Sequence, residues 1–273
     1  MKRFLVLLPL LLVPSSSFAA AGLQPGALSE FNVELPPALR QMAGRGQLSP
    51  VTHALVMIAA PANLDMAHDW PVLVISATSD PQFNSSRRLL ASYADVATKA
   101  GWIVVAADPA VEVTVEQDDV PLRLALNTAA LAVLGRQWPG ASNAPLAFGG
   151  FSGGAKYSGW LAAAFASQGR TVIGIYLAGI STDTLVPAAR HFNVLNDAFR
   201  RVPVFLQSGE QDEISTPADH QGVFADVKRV GFKNVRIEYF PGAHDVDPGP
   251  LRAALEWFRL FPTQPAARPA AAK

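Results

Sequence analysis

"FGGFSGGAK", residues 148–156, sets one serine among four glycines between two apolar runs. The stretch before it, "PLAFGGF" (145–151), has the length and composition of a buried strand, and "GAKYSGWLAAAFASQG" (154–169) has a helical period. Gly150, Ser152 and Gly154 thus form G-x-S-x-G at a strand-to-helix junction. A serine there occupies a turn so tight that its neighbours cannot carry Cβ atoms. Its hydroxyl would stand above the sheet at a helix N-terminus, where backbone N–H groups can face a developing oxyanion. The alternative is a glycine-rich loop that binds nothing, and the rest of the chain decides between them.

Six further apolar runs have strand length: 54–60, 72–77, 102–107, 171–178, 202–208 and 235–240. Most are continuously apolar, the pattern of strands covered on both faces in a parallel sheet. Helical segments fill the gaps at 85–100, 120–135, 216–231 and 248–261, several with Ser caps, a leading Pro or a closing Gly. Strand alternating with helix over some 200 residues predicts one α/β domain, a doubly wound, mostly parallel sheet with helices on both faces, over 51–261. Residues 20–50 read as irregular, holding a short edge strand or wrapping the surface.

The ends stand apart. "MKR", then the ten apolar residues "FLVLLPLLLV", then "SSSFA" has the anatomy of a secretory signal peptide over 1–19, with Ser17 and Ala19 before the cut. Ten helical residues rise only about 15 Å, against roughly 30 Å of hydrocarbon, so a stable membrane anchor is not expected. Export to the periplasm or the medium is. The Pro- and Ala-rich stretch 262–273 reads as a disordered tail.

Lys and Arg number 22, as do Asp and Glu. That balance gives no electrostatic reason to expect a nucleic-acid partner. With no cysteine, disulfides, thiolate metal sites and a cysteine nucleophile are excluded. No histidine pair has metal-ligand spacing with a third partner, so neither metal nor cofactor is expected.

A serine hydroxyl needs a base, and the base needs an orienting carboxylate. On such a sheet both should follow later strand ends, where the ligand crevice lies. Asp212 follows strand 202–208 in "GEQDEISTP", and His244 follows strand 235–240 in "PGAHDVDPGP". The order Ser152, Asp212, His244 results. Asp183, after strand 171–178, is the rival acid, and Asp247 looks like the cap of the last helix. His53, His68, His191 and His220 read as structural or solvent-facing. Trp160, Phe165, Trp257 and Phe258 have helical spacing and read as core. Phe151 either touches substrate or packs beneath the serine. The 23 residues 179–201 either carry a short lid, with Leu185, Val186, Phe192, Leu195 and Phe199 roofing an acyl pocket, or form an ordinary crossover.

Over about 50–261, "GFSGG", "SGEQDEISTP" and "GAHDVDP" resemble the nucleophile elbow, acid loop and histidine loop of the α/β-hydrolase family, closest to compact esterases of the dienelactone-hydrolase and polyester-depolymerase type. The resemblance implies ester hydrolysis through an acyl-enzyme, with Ser152 attacking, His244 shuttling the proton and Asp212 holding the imidazole. It also implies oxyanion donors from Gly153 and from the loop after strand 72–77. Many members carry His-Gly in that loop; here "SATS" stands instead, with Thr78 the choice by position and Ala77 or Ser79 the alternatives. Small or polymeric esters are the expected substrates. The competing readings are a non-catalytic binding protein of the cell envelope, and a secreted peptidase or acyltransferase with the same three residues. The signal-peptide reading predicts that exported protein begins at Ala20, or at Gly22 if the cut follows Ala21. N-terminal sequencing that finds Met1 on exported material overturns it.

Overall fold

The computed structural model describes residues 22–261; the signal-peptide and tail readings lie outside them. In chain order the elements are β1 (Leu28–Glu34), α1 (Pro37–Ala43), β2 (His53–Ala59), β3 (Val72–Ser76), α2 (Ser86–Lys99), β4 (Ile103–Pro109), α3 (Val120–Gln137), β5 (Leu146–Phe151), α4 (Gly153–Ser167), β6 (Val172–Ala178), α5 (Leu185–His191), β7 (Val204–Gly209), α6 (Pro217–Arg229), β8 (Val235–Phe240) and α7 (Pro248–Phe258). All seven strands expected from apolar runs form. The segment read as irregular holds α1 and also β1, an edge strand of seven residues. In β1, intermediate and exposed residues alternate as on a half-covered edge.

The eight strands make one sheet in the order β1-β2-β4-β3-β5-β6-β7-β8. β2 runs antiparallel to both neighbours, and β3 to β8 are parallel. From β3 the chain steps outward to β4 and then crosses back to β5 on the other side. The loops leaving β3 and β5 therefore diverge at neighbouring strand ends, which opens a crevice at that switch point.

Side-chain alternation sorts the strands onto two cores. Val72, Val74, Ile103, Val105, Ile175, Leu177, Val204 and Leu206 face one layer, under α1, α3, α4, α5 and α6. Leu73, Ile75, Val104, Ala106, Tyr176 and Phe205 face the other, under α2 and α7. Helix starts are held by short polar side chains. Ser85 accepts from the Arg88 N–H, Asp119 from Leu122, and Asp247 from Gly249, while Thr216 and Asp219 form a reciprocal capping box on α6. Phe165 and Phe258 are buried as expected; Trp160 and Trp257 sit at the core margins.

Residues 179–201 form the crossover from β6 to β7. Leu185, Val186 and Phe199 are buried in the larger core, and Phe192 and Leu195 pack against it. Their apolar surface is spent on that core, where α5 packs against α4 and α6, and among the described residues no large cap covers the strand ends.

Gly174 in β6 faces α7, where an added Cβ would fall into the Phe258 ring and come 2.5 Å from its Cγ. Gly174→Ala is expected to cost about 1–3 kcal/mol by overpacking. At this chain length that lowers the melting midpoint by roughly 2–4 °C per kcal/mol, read by circular dichroism. An unchanged midpoint would show that α7 can move aside.

Candidate active site

Ser152 lies between β5 and α4 with φ +55° and ψ −121°. A non-glycine residue there stores strain of order 1–3 kcal/mol unless its surroundings hold it. Two backbone bonds do so: its N–H donates to the Ala178 carbonyl at 2.9 Å, and its carbonyl accepts from the Ala155 N–H at 3.0 Å. The glycines supply the room. A Cβ on Gly150 would come 2.8 Å from Ala155 N, one on Gly153 would come 2.9 Å from Thr78 Cβ, and one on Gly154 would collide with the Ser76 carbonyl. Helix α4 thereby starts tight against the end of β3, and the first N–H groups of a helix have no partner within it.

Asp212 is buried at 3% exposure. Its Oδ1 accepts from the N–H groups of Ile214 (2.9 Å) and Ser215 (2.8 Å), and its Oδ2 lies 2.7 Å from His244 Nδ1. Burial alone would raise this carboxyl; the Ser215 N–H, the His244 ring and the Ile214 N–H outweigh it and hold the group below the ordinary range. Because the carboxylate can only accept, Nδ1 carries a proton, so in the neutral ring the lone pair is on Nε2. Asp183, the rival acid, instead accepts from the Leu185 and Val186 N–H groups at the start of α5. Asp247 caps α7.

The imidazole lies over the elbow. Its ring centroid is 4.5 Å from that of Phe151, and a Cβ on Gly179 would come 2.7 Å from Phe151 and 3.0 Å from His244 Cε1. Phe151 therefore packs between the strand end and the imidazole. Among the described residues the one hydrogen bond of the His244 ring goes to Asp212. The Ser152–His244 bond is not closed, a bond that in unliganded sites is commonly long and tightens on substrate binding.

In the loop after β3, the Ala77 N–H donates to Ser86 Oγ at 3.3 Å, so it is spent. Thr78 lies directly against Gly153, and its Oγ1 accepts from the Asp80 N–H. The two expected oxyanion donors are neighbours across the crevice.

No family model matches the sequence, and no curated protein matches it. Among solved structures, the chain superposes on a lidless α/β serine hydrolase of Xanthomonas campestris with a TM-score of 0.58 at 17% identity, covering 89% of this chain and 99% of that one. An esterase from an Arctic intertidal metagenomic library gives a TM-score of 0.59 at 15% identity over 90% and 99% of the two chains. An α/β serine hydrolase homologue of Coxiella burnetii gives 0.54 at 15% over 84% and 95%. The chain has the α/β-hydrolase fold.

In an α/β-hydrolase fold the loops do the chemistry, and here buried polar groups hold those loops. Arg123 is 1% exposed in the largely apolar α3. Its Nε and Nη2 grip both Asp118 oxygens, while Nη1 donates to Ser86 Oγ at 3.1 Å and lies 3.4 Å from Asp108. Asp108 in turn accepts from the Ser86 N–H. A desolvated cation thus fixes the serine that takes up the Ala77 N–H beside Thr78. Tyr157, one turn into α4, donates to the Asp118 carbonyl with Arg123 5.6 Å from its ring centroid. Sequence reading missed this network, although an arginine within "VPLRLALNTAALAVLG" is its visible trace.

His220, expected to be structural, is fully buried. Its Nε2 accepts from the Ile180 N–H at 3.1 Å, and Nδ1 faces the Thr216 carbonyl at 3.0 Å, which together require the neutral ring protonated on Nδ1. Ser215 Oγ donates to the Gly179 carbonyl at 2.8 Å, so the acid loop and α6 pin Gly179 and Ile180 beneath the imidazole. Among the described residues no three His, Asp or Glu side chains cluster to hold a metal, and no helix is long and apolar enough to cross a membrane.

Desolvation, first among the causes, lowers the His220 pKa, against the opposing pull of the Thr216 carbonyl, Asp212 and Asp219. The unfolded chain therefore takes up this proton first as pH falls below about 6.5. The stability contributed by neutral His220 is complete above that value and is lost below it, down to the folded pKa. Denaturation midpoints measured from pH 7.5 to 5 should fall, and His220→Gln should flatten that decline. An equal decline in the variant would assign it to other groups.

Proposed function

We propose that the protein is an exported serine hydrolase that cleaves carboxylic esters. The observation that carries this reading is the buried Asp212 carboxylate 2.7 Å from His244 Nδ1, with the imidazole packed on Phe151, the residue before a serine held at positive φ. The Arctic protein among the structural neighbours is an esterase, which supports an ester substrate. The signal-like first nineteen residues support export.

Chemically, Ser152 Oγ would attack the ester carbonyl carbon while its proton passes to His244 Nε2. The carbonyl electron pair moves onto oxygen, and the oxyanion is met by the N–H groups of Gly153 and Thr78, donors that act where charge appears. Collapse restores the carbonyl and expels the alcohol, which takes the proton from the imidazolium. Water then repeats the sequence on the acyl-serine and releases the acid. Asp212 holds the ring in the required tautomer throughout and stays ionised.

The open Ser152–His244 bond is the observation that favours a second reading, a binding protein on a hydrolase fold, and the same experiment separates the two. Purified protein should hydrolyse p-nitrophenyl acetate or butyrate, and Ser152→Ala should lose on the order of 10⁶-fold in turnover. A fluorophosphonate probe should label Ser152 and nothing else. Substantial turnover remaining in the variant would move the nucleophile elsewhere, and folded wild type that is neither labelled nor active favours the binding protein.

A further inference from the structure

β7 reads "VFLQSG", and every one of its residues is buried. Gln207 is wholly enclosed, on the sheet face that packs against α2 and α7. A primary amide sealed in such a layer costs several kcal/mol unless both its ends are bonded. Both are. Gln207 Nε2 donates to the Asp245 carbonyl at 2.9 Å, and Oε1 accepts from the hydroxyl of Tyr176, one strand away in β6. Tyr176 is equally buried, and burial, with smaller help from nearby acidic groups, pushes its pKa well above the usual tyrosine value. Its hydroxyl therefore remains a donor, which fixes which end of the amide faces Asp245.

Asp245 directly follows His244. The rest of the histidine loop is held by backbone: Glu210 N–H to Phe240 O and Gln211 N–H to Gly242 O, each 2.9 Å. Beyond His244 itself, Gln207 supplies the one side-chain hydrogen bond that crosses into this loop among the described residues. It grips the carbonyl on the far side of the imidazole from those backbone bonds. Cut there, the stretch around His244 would keep only the backbone bonds before it and the packing of Val246 and α7 after it, and the ring would be freer to swing about its bond to Asp212.

We propose that Gln207, oriented by Tyr176, is a positioning residue for His244. The pair sets where the imidazole stands relative to Ser152 and touches no substrate. The proposal rests on the hydrolase reading for its kinetic consequence, though its structural consequence can be read without turnover.

Two readouts test it in the full chain. One is the downfield NMR resonance of the His244 Nδ1 proton, and the other is the rate at which a fluorophosphonate labels Ser152, together with kcat and KM on p-nitrophenyl butyrate. Gln207→Leu and the near-isosteric Gln207→Met, which offers no donor to the Asp245 carbonyl, should shift or broaden the resonance. Both should slow labelling and kcat by up to about 10²-fold, the cost of a misplaced catalytic group, with KM little changed. Tyr176→Phe should act in the same direction by up to about tenfold, the worth of one buried hydrogen bond. Gln207→Leu combined with Tyr176→Phe should be no worse than Gln207→Leu alone.

An unchanged His244 resonance and labelling rate in any folded Gln207 variant overturn the proposal, as do additive effects of the two sites. If Gln207→Leu fails to fold, Gln207→Met and Tyr176→Phe carry the same test. Wild type that is not labelled sinks the hydrolase reading, while the resonance still judges the relay.

Discussion

The contact on which the rest depends is the one between the start of α4 and the end of β3, where Gly154 meets the Ser76 carbonyl with no space for a side chain. A helix that begins this close to a neighbouring strand leaves β5 too little chain for an ordinary turn. Ser152 absorbs the whole change of direction, and its positive φ is the consequence. The same approach sets Gly153 against Thr78. One steric condition therefore gives the hydroxyl its place, aims a helix N-terminus at it and brings the facing loop alongside. Relaxing that contact would dissolve all three together.

Once the backbone is fixed, polar groups inside the apolar layers hold the loops. Each costs desolvation, and each is offset by hydrogen bonds to a particular loop. Arg123 holds the loop after β3 through Ser86, and His220 with Ser215 holds the segment after β6. Gln207 holds the loop after β8. Strand-end loops carry few apolar contacts of their own, so core side chains that reach up into them are what can keep them from fraying. A replacement by a well-packed apolar residue at any of these positions could leave the fold intact while freeing the loop above it. That is why their roles separate from bulk stability.

The fold was legible because its signal is repeated. Seven apolar runs alternating with helical periods each repeat the same α/β message, and an error in one does not change the sum. The edge strand β1 was open as one of two readings of its segment, since alternation on a half-covered edge leaves only Leu28, Phe31 and Val33 as apolar marks within "LSEFNVE". The positions of Ser152, Asp212 and His244 could be read because a parallel sheet turns order along the chain into placement along one rim. The polar supports could not. Arg123 and Gln207 announce themselves only as a wrong residue type in an apolar run, and nothing local names their partners. Asp118 lies five residues from Arg123, but Ser86 is 37 away, and Tyr176 is 31 from Gln207. Whether the Ala77 N–H is free was likewise closed to sequence, because it turns on a hydrogen bond that it donates to the first residue of α2.

The site is built as two halves that meet at Gly179. On one side, Asp212 and His244 are joined by a short bond and the carboxylate is locked by two further N–H groups, none of which involves the serine. On the other, backbone bonds and steric closeness hold Ser152 without help from the histidine. Gly179 has φ +58°, donates its N–H to the Gln207 carbonyl at 3.2 Å and gives its own carbonyl to Ser215. Any Cβ there would press on Phe151 and His244 at once. Its missing side chain is what lets the imidazole settle over the elbow, and the three strand ends β6, β7 and β8 meet in that gap. The distance from the imidazole to the Ser152 hydroxyl is thus set by packing around a glycine rather than by a bond between the two. A distance set in this way can change without any element of the sheet having to move.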